Sequence, residues 1–460
     1  MNDKNQLLRR LPKIDKLASE PVCAAASRRL GRIAVTDICR SAVDAAKAAA
    51  LRDGTPPDID TLRASVSAGI VSAMSKMVGR VINGTGVMLH TNLGRAPLGP
   101  ELFETLKAEL SGYCNLEIDI LERRRGIRGP GVTSLIRQLT GAEDAVVVNN
   151  NAAALFLVLS AFANGKEVIV SRGELVQIGG GFRIPDILKN AGATLKEVGT
   201  TNITTVRDYL DAVTDETAMI LKVHQANFSM NGFVEFPSIR DLLTAGALPV
   251  PIVSDLGSGN IVKQIGDWAI PEPTPAEMLK EGAALVTFST DKMLGAGQGG
   301  IIAGKAALIA TLKRHPVMRV VRVDKLTFGI LQTILSHYLA GEPEHIALWQ
   351  MAGSDAPKIK ARVERFIDTH GLPTNHFEVV ETHATFGGGS TPGITIPSFG
   401  LGIRSADGPD AVAAFFQKQT PPVVGTVGGD LFLLDFRTVF DTDAPLLGQN
   451  CLALTHTMFR

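Results

Sequence analysis

An alternation of short, β-branched apolar runs with helical stretches, between about residues 145 and 310, constrains the fold more than any other feature. The runs predict strands at residues 145–148, 167–170, 194–197, 218–223, 251–254 and 285–288. Because the runs are almost continuously apolar, we expect a largely parallel sheet that helices cover on both faces. The sequence therefore predicts an α/β fold whose functional side chains gather at the carboxyl ends of the strands.

The segments on either side of this region predict two further parts. Residues 7–78 are helical in pattern, with an Ala-rich stretch at 35–51 and then an apolar stripe formed by Leu62, Val66, Ile70, Met74 and Val78. Beyond residue 325, a helical stretch at about 326–339 precedes strands at 394–396, 400–403, 423–427 and 431–434. We therefore expect a helical module at 1–78, a large domain at 79–325 and a smaller C-terminal α/β domain at 326–460.

Charge is balanced over the whole chain but not along it. Lys plus Arg and Asp plus Glu number 46 each, which excludes a uniformly basic nucleic-acid coat protein. Residues 1–80 nevertheless hold 14 basic against 8 acidic side chains. A basic end on a mildly acidic body suits a chain in which one module contacts a polyanion, although a solvated helical face explains the same charge.

Cysteine usage and the apolar segments bear on compartment. Four scattered cysteines without CxxC spacing indicate neither a zinc site nor a disulfide framework, so we expect no metal. The N-terminus lacks an apolar signal region, and the longest uncharged apolar stretch, at 145–165, is interrupted by three asparagines. These features predict a soluble cytoplasmic protein that makes no membrane contact.

The sharpest local pattern is Ser289-Thr290-Asp291-Lys292, which ends an apolar strand and leads into a glycine-rich turn at 295–300. A lysine in this place can reach a cofactor cleft while the serine hydroxyl meets a phosphate. That arrangement suits a Schiff-base lysine, whose amine must be deprotonated to attack an aldehyde. Taken alone, a lysine at a strand end is more often a surface residue.

Two other strand ends add to this pattern. Asn149 to Asn151 follow a strand and open an apolar helix, whose free backbone N–H groups suit a phosphate, although an Asn-capped core helix explains the same residues. Asp255 ends another strand, where a carboxylate can pair with a protonated pyridine nitrogen or simply cap a loop. The order of asparagine-led helix, strand-end aspartate and Ser-x-x-Lys resembles the large domain of fold-type I pyridoxal-phosphate enzymes, the aspartate aminotransferase-like transferases.

Longer segments narrow the resemblance to one family. The segments at 83–98, 170–180, 197–202 and 322–327 together look like bacterial selenocysteine synthase, L-seryl-tRNA(Sec) selenium transferase. The opening segment at 7–17 resembles the start of that family's N-terminal tRNA-binding module. The likeness runs from about residue 6 to the strand at 431–434, which is nearly the whole chain.

The resemblance implies a chemistry and a set of site residues. A serine esterified to tRNA(Sec) would undergo pyridoxal 5'-phosphate-dependent β-elimination through aminoacrylyl-tRNA, and selenium from selenophosphate would add to give selenocysteinyl-tRNA(Sec). The residues that the resemblance assigns to cofactor binding are Lys292, Asp255, Asn150, Asn151, Ala152, Ala153, Asn227 and Ser289. Those it assigns to catalysis are Lys292, Asp291, Arg95, Arg319 and Arg322.

The resemblance also implies partners. A selenium donor that bears a phosphate is best bound by arginines, because they cannot lose their charge. The family pattern assigns this binding to Arg95, Arg319 and Arg322. A surface salt bridge would explain any one of these arginines equally well. A homo-oligomer built from dimers, such as a decamer, is implied as well. The candidates for tRNA phosphate contacts are Arg9, Arg10, Lys13, Lys16, Arg28, Arg29 and Arg32.

The chain departs from the family pattern in several loops. The family usually has glycine where this chain has Thr290, and Gly-Gly-Pro-Gln-Ala-Gly where this chain has Gly-Ala-Gly-Gln-Gly-Gly at 295–300. Ile203 stands where an arginine is common, and Gly129-Pro130-Gly131 replace polar residues. These changes bear on the substrate. The residues that match the family pattern for the chemistry are all retained: Lys292, Asp291, Asp255, Arg95, Arg319 and Arg322.

Two alternatives to the tRNA-dependent transferase remain open at this point. One is a related pyridoxal-phosphate lyase or transferase that acts on a small amino acid or amino sugar without tRNA. The other is a non-enzymatic RNA-binding paralogue, which the intact lysine and phosphate-binding residues disfavour. The basic helical module favours the transferase, because an enzyme for small molecules has no use for it.

Overall fold

The computed structural model of this protein describes residues 11–55, 57–246, 248–266, 268–387 and 389–459. It contains two compact units, one up to Val81 and one from Ile82 onward. Two of the candidates for tRNA contacts, Arg9 and Arg10, lie outside the described residues.

The first unit is helical, as its sequence pattern predicts. Its helices are α1 (Ile14–Ala18), α2 (Pro21–Leu30), α3 (Arg32–Asp53) and α4 (Ile59–Ser75). They pack around a small apolar core that includes Leu17, Val35 and Leu62.

The fourth helix begins and ends for identifiable reasons. The carboxylate of Asp58 accepts hydrogen bonds from the backbone N–H groups of Asp60 and Thr61, which caps the helix start. Val66 and Ile70 of the predicted stripe are buried. The prediction was wrong at Val78, which lies beyond the end of α4 and is fully exposed.

The second unit contains the remaining helices and all the described strands. Its helices are α5 (Pro100–Leu110), α6 (Pro130–Thr140), α7 (Asn151–Phe162), α8 (Ile184–Asn190), α9 (Val206–Ala212), α10 (Ile239–Thr244), α11 (Pro275–Glu281), α12 (Ala306–Arg314), α13 (Val317–Val320), α14 (Lys325–Ala340), α15 (Ala347–Ala352), α16 (Ala356–His370), α17 (Pro409–Gln417) and α18 (Ala444–Met458). Its strands are β1 (Ile82–Asn83), β2 (Ile118–Asp119), β3 (Arg124–Arg125), β4 (Asp144–Val148), β5 (Glu167–Ser171), β6 (Gln177–Ile178), β7 (Phe182–Arg183), β8 (Thr194–Val198), β9 (Thr217–Val223), β10 (Ile252–Gly257), β11 (Gln264–Ile265), β12 (Trp268–Ala269), β13 (Leu285–Ser289), β14 (Gly300–Gly304), β15 (Phe377–Ala384), β16 (Ile396–Arg404), β17 (Val423–Val424), β18 (Thr426–Gly428) and β19 (Leu431–Asp435).

A seven-stranded sheet forms the centre of this unit, in the order β4-β14-β13-β10-β9-β5-β8. The pairings among β13, β10, β9, β5 and β8 are parallel, whereas β14 runs antiparallel to both of its neighbours. Neighbouring residues face opposite cores, since Ile220 packs in one apolar cluster and Leu221 in the other. All six strands predicted for this region are confirmed, and so is the largely parallel sheet covered on both faces.

One strand of the sheet escaped prediction. β14 has the sequence Gly-Ile-Ile-Ala-Gly, and its leading glycine belongs to a run that reads as a turn. A Cβ on Gly300 would lie 2.3 Å from the carbonyl oxygen of Asn150, so only glycine lets this strand pass so close to the start of α7. Gly300, which makes the sequence of β14 look like a turn, is therefore required by the packing.

A separate four-stranded antiparallel sheet, in the order β15-β16-β19-β18, is formed by the C-terminal part of the unit. It packs on its own apolar cluster, which includes Phe377, Leu401 and Leu434. The predicted strand at 394–396 was wrong except at its last residue, and β15 was not predicted at all. The helix predicted at 326–339 is confirmed as α14.

No helix among the described residues is long and apolar enough to cross a membrane.

Candidate active site

A cavity of about 230 Å³ lies at the carboxyl edge of the seven-stranded sheet. It forms there because the segments that follow β4, β9, β10 and β13 leave the parallel strands at the same edge. The predicted site residues that line it are Arg95, Asn150, Asn151, Ala152, Asn227, Asp255, Ser289, Asp291 and Lys292. The sheet thus brings together residues that are up to about two hundred positions apart in the sequence.

Lys292 lies in the loop that follows β13, and its side chain is buried. Burial and the positive charge of Arg95 lower the pKa of its amine below the ordinary value, although nearby carboxylates oppose the shift. A lowered pKa leaves a larger share of the amine neutral near pH 7. A neutral, buried amine is what nucleophilic attack on a carbonyl carbon requires.

The loop around Lys292 is fixed by its own hydrogen bonds. Thr290 donates its backbone N–H to Gly299 and its hydroxyl to the carbonyl of Gly297, at 3.0 and 2.5 Å. The phenol of Tyr338 donates to the carbonyl oxygen of Leu294 at 2.9 Å. These bonds tie both sides of the loop to one another and to α14, so the position of Lys292 is well defined.

Two departures from the family pattern touch each other in this loop. A Cβ on Gly299 would lie 2.8 Å from the hydroxyl oxygen of Thr290, closer than real Cβ contacts allow. Thr290 and Gly299 therefore pack so closely that a side chain at position 299 would clash with the threonine.

We expect the substitution Gly299→Ala to destabilise the protein by about 1–3 kcal/mol, because the new methyl group overpacks against Thr290. Thr290→Ala alone is expected to cost about 1 kcal/mol for the lost hydrogen bond to Gly297. In the double variant the clash is absent. Its loss of unfolding free energy is therefore expected to be smaller, by about 1 kcal/mol or more, than the sum of the losses in the two single variants. Denaturant unfolding of the four proteins measures this coupling, and strictly additive costs would contradict it.

Asp255 lies near the carboxyl end of β10, at the same edge of the sheet, and is buried. Its carboxylate accepts hydrogen bonds from the amide of Asn151 at 2.7 Å and from the hydroxyl of Thr287 at 3.0 Å. Burial raises the pKa of Asp255 above its ordinary value, while these two bonds and the charge of Lys292 oppose the rise. A buried carboxylate of this kind is stabilised when a cationic group is placed against it.

The start of α7 supplies backbone donors at the same cavity. Asn150 is the N-cap, and its side chain accepts the N–H of Ala153 at 2.8 Å. The N–H of Ala153 is therefore engaged within the helix cap, and Ala153 does not line the cavity, whereas Asn150, Asn151 and Ala152 do. The first N–H groups of a helix have no partner within the helix and attract anions.

The predicted arginines divide into two groups. Arg95 lines the cavity and donates to the carboxylate of Asp291 at 2.8 Å, which holds the acid that precedes Lys292. Arg319 and Arg322 are exposed and do not line this cavity. The backbone nevertheless places Arg322 next to the helix start, because Asn149 donates its N–H to the carbonyl of Val321 at 2.8 Å.

Asn227 lines the cavity, but its amide nitrogen already has a partner. It donates to the carbonyl oxygen of Gln177 at 2.9 Å, in the short hairpin of β6 and β7. Ser289, the last residue of β13, is buried at the cavity wall. Both residues thus line the cavity, and the Asn227 amide is held by the protein itself.

The sequence did not point to a buried carboxylate next to this site, that of Glu272. Oε2 of Glu272 lies 2.8 Å from Nε2 of His224 and accepts from Ser258, while its Oε1 accepts the backbone N–H of Thr391. Burial acts to raise the pKa of Glu272, but these bonds outweigh it and hold the pKa below the ordinary value. The available signal was an acid between Pro271 and Pro273, which is unusual for a surface loop.

Through Thr391, Glu272 also fixes the segment that covers Lys292. A Cβ on Gly389 would lie 3.1 Å from the amine nitrogen of Lys292, so the backbone of this segment passes directly over the lysine. Thr391 has a φ of 45°, a left-handed conformation that is strained for a β-branched residue. The geometry of this C-terminal segment is therefore imposed by its contacts rather than by local preference.

The residues of the cavity fit pyridoxal phosphate. Asp255 offers a buried carboxylate for a protonated ring nitrogen, and the buried Oδ1 of Asn151 has no hydrogen-bond partner among the described residues. The start of α7 and the hydroxyl of Ser289 suit a phosphate, and the amine of Lys292 faces the same space. The ring nitrogen, the phosphate and the aldehyde of the cofactor thus each have a matching group.

The fold and this site define a fold-type I pyridoxal-phosphate enzyme. In agreement, the structure is similar to that of a D-glucosaminate-6-phosphate ammonia-lyase, with a TM-score of 0.59 and 18% sequence identity, over 85% of this chain and 99% of the other. At that identity the likeness supports the fold alone.

The sequence comparisons identify the family. Residues 81–440 match the family described as L-seryl-tRNA selenium transferase, and residues 8–46 match the N-terminal region of selenocysteine synthase. The L-seryl-tRNA(Sec) selenium transferase of Geobacter sulfurreducens is 40% identical over 95% of this chain and 96% of its own, and that of Aquifex aeolicus is 38% identical over the same shares. The chain belongs to the L-seryl-tRNA selenium transferase family.

Proposed function

We infer that this chain is an L-seryl-tRNA(Sec) selenium transferase, which converts seryl-tRNA(Sec) to selenocysteinyl-tRNA(Sec). The observation that carries this inference is the match to the family over both units, in a chain that retains a buried lysine beside a buried strand-end aspartate. The reaction replaces the hydroxyl group of the serine with selenium while the amino acid stays esterified to the tRNA.

The residues of the cavity divide the work of such a reaction. Bound pyridoxal phosphate supplies an electrophilic carbon for an amine and a sink for the electrons left when a Cα proton is removed. Lys292, with its lowered pKa, holds the cofactor and is placed to take up and return a proton at its amine nitrogen. Asp255 balances positive charge at the ring nitrogen, and Asn150, Asn151, Ala152 and Ser289 hold the phosphate.

For the selenium donor we propose selenophosphate, with Arg95, Arg319 and Arg322 as its cationic ligands. Arg95 reaches the cavity and is oriented by Asp291. Arg319 and Arg322 are exposed, and the backbone bond from Asn149 to Val321 places the segment that carries them beside the start of α7. A guanidinium keeps its charge at any physiological pH and matches two oxygens of a phosphate at once.

For the tRNA we propose that residues 1–78 are the binding module, that residues 79–325 hold the cofactor and that residues 326–460 are the small domain. The described basic candidates of the module, Lys13, Lys16, Arg28, Arg29 and Arg32, are all exposed, as phosphate contacts require. RNA of this kind is recognised mainly by its shape and backbone. Use of a charged tRNA also supports a cytoplasmic location.

We also propose a homo-oligomer built from dimers. Two large apolar side chains of the second unit support this, since Leu121 is 92% and Val320 is 79% exposed. Val320 lies between the two exposed arginines, so a second copy docked there would stand next to the proposed donor site. Sedimentation analysis of the full-length enzyme measures the number of copies.

The function is tested by incubating the full-length, cofactor-loaded enzyme with seryl-tRNA(Sec) and selenophosphate and analysing the amino acid released from the tRNA. We expect selenocysteine, and we expect loss of serine without selenocysteine when selenophosphate is omitted. Free L-serine serves as the matched control and is expected to give no product. Turnover of free serine with no turnover of seryl-tRNA(Sec) would instead support an enzyme for small amino acids.

Deletion of residues 1–78 tests the role of the basic module. We expect the truncated enzyme to retain cofactor binding but to lose affinity for tRNA, with activity on seryl-tRNA(Sec) reduced by about 100-fold or more. In the full-length protein, raising the salt from 50 to 200 mM is expected to weaken tRNA binding by about 10³-fold if six or more phosphates are contacted. Unchanged activity after the deletion would refute the assignment of the module.

A further inference from the structure

A second and larger cavity, of about 540 Å³, adjoins the cofactor cavity. The two cavities share Val223, the last residue of β9, and His224, which follows it. The buried carboxylate of Glu272 lies at the wall of the larger cavity and still influences the pKa of Lys292 in the smaller one. A molecule that reacts at Lys292 and extends beyond the small cavity therefore has an adjacent space to enter.

The walls of this second cavity favour an uncharged ligand. Of the residues that the structure describes along it, Lys222 is the only lysine or arginine, and its amine is bonded to the buried carboxylate of Glu174. Glu272 and Glu281 add further carboxylates. A phosphate or a free carboxylate would meet negative charge with no available cation, so anionic ligands are disfavoured.

The same walls carry apolar and aromatic surface. Phe228, Met230, Phe236 and Met278 line the cavity, and the tip of the Phe236 ring packs against Gly173, where a Cβ would lie 2.5 Å from Cζ of the ring. An aromatic ring at a cavity wall can serve as a stacking platform for a planar base. The volume is within the range of about 300–1,000 Å³ that is typical of small-molecule sites.

One polar group at this wall lacks a partner. Oγ1 of Thr391 is buried and has no hydrogen-bond partner among the described residues, although the backbone N–H of Thr391 is bonded to Glu272. The residue also keeps the strained φ of 45°. An unpaired buried hydroxyl on a strained backbone is typical of a position that serves a ligand.

We propose that this cavity binds the terminal ribonucleoside of the aminoacylated tRNA, with its base on Phe236 and a ribose hydroxyl on Thr391. The proposal rests on the inferred function, since it is the seryl ester that joins a neutral ribose to the amino acid at Lys292. The cavity then selects against free serine, whose carboxylate would face Glu272, and in favour of the uncharged ester.

The test uses the full-length, cofactor-loaded enzyme and three variants. Phe236→Ala removes the stacking ring, Thr391→Val removes the hydroxyl with little change in shape, and Phe233→Ala is the matched control, because Phe233 is 93% exposed and does not line the cavity. Binding of adenosine is measured by calorimetry, and KM and kcat for seryl-tRNA(Sec) are measured by turnover.

We expect Phe236→Ala to weaken adenosine binding and raise KM by about tenfold or more, and Thr391→Val to do so by about five- to tenfold. In both variants kcat is expected to stay within about twofold, and Phe233→Ala is expected to match the wild type. Adenosine binding and KM that are the same in all four proteins would overturn the proposal, as would binding of inorganic phosphate in preference to adenosine.

Failure of the inferred function gives a different result. A wild-type enzyme that binds adenosine but does not convert seryl-tRNA(Sec) would contradict the function, while the effect of Phe236→Ala on calorimetry alone would still decide whether the cavity binds a nucleoside. A variant that keeps the absorbance band of the bound cofactor is folded. If Phe236→Ala lacks this band, Phe236→Leu is used in its place.

Discussion

Substitution of Lys292 by alanine is expected to abolish the conversion of seryl-tRNA(Sec), with a loss of about 10⁴-fold or more. In the proposed function the amine of Lys292 holds the cofactor and transfers the Cα proton, and a proton-transfer group alone contributes about 10²–10⁴-fold. Lys292 is the only lysine among the described residues that line the cofactor cavity, so no neighbouring amine can replace it. The absorbance of the lysine-bound cofactor and the rate of product formation, measured on the same preparation, check both effects.

The control for this substitution is Lys305→Ala. Lys305 is exposed, and its backbone N–H bonds to the carbonyl of Ala284, an interaction that alanine keeps. We expect this variant to retain full activity and cofactor absorbance. Activity of Lys292→Ala within tenfold of the control would mean that another amine performs the chemistry.

Substitution of Asp255 by asparagine is expected to lower kcat by about 10²–10³-fold, because a neutral amide cannot balance positive charge at the cofactor ring nitrogen. The side chains are nearly equal in size, so the contacts with Asn151 and Thr287 remain possible. Steady-state kinetics and the cofactor spectrum of the loaded variant measure the loss. A kcat within a few-fold of the wild type would refute the assigned role of the carboxylate.

Stability is expected to change in the opposite direction to activity. Burial raises the pKa of Asp255, so between its unfolded and folded pKa values the folded protein binds more protons than the unfolded chain. Stability from this group is therefore lost as the pH rises through that interval. At neutral pH, cofactor-free Asp255→Asn is expected to unfold at the same or a higher temperature than the wild type, whereas Thr287→Val, which removes a bond to the carboxylate, is expected to unfold at a lower one.

Much of the cofactor site could be predicted from sequence because its groups are attached to strands. The strands that precede Asn150 and Lys292 and the strand that contains Asp255 have apolar runs, and parallel strands place their carboxyl ends at one edge. The site therefore follows from local patterns and one topological rule. β14 was missed because its glycines serve a close approach that no local pattern reveals.

The groups around the second cavity could not be predicted in the same way. Glu272, His224 and Thr391 belong to separate segments that only the tertiary structure brings together, and none carries a recognisable motif. The exposure of Arg319 and Arg322 could not be predicted either, because no local sequence pattern indicates that these two arginines lie outside the cavity. Long-range contacts decide these cases.

The central claim is that the amine of Lys292 holds pyridoxal phosphate at the sheet edge where Asp255 and the start of α7 meet. Borohydride reduction of the loaded, full-length enzyme followed by peptide mass mapping tests it most directly, because reduction fixes the cofactor to the amine that holds it. We predict a single modified peptide, the one that contains Lys292. Modification at another lysine, or no modification in an enzyme that is active on seryl-tRNA(Sec), would contradict the account.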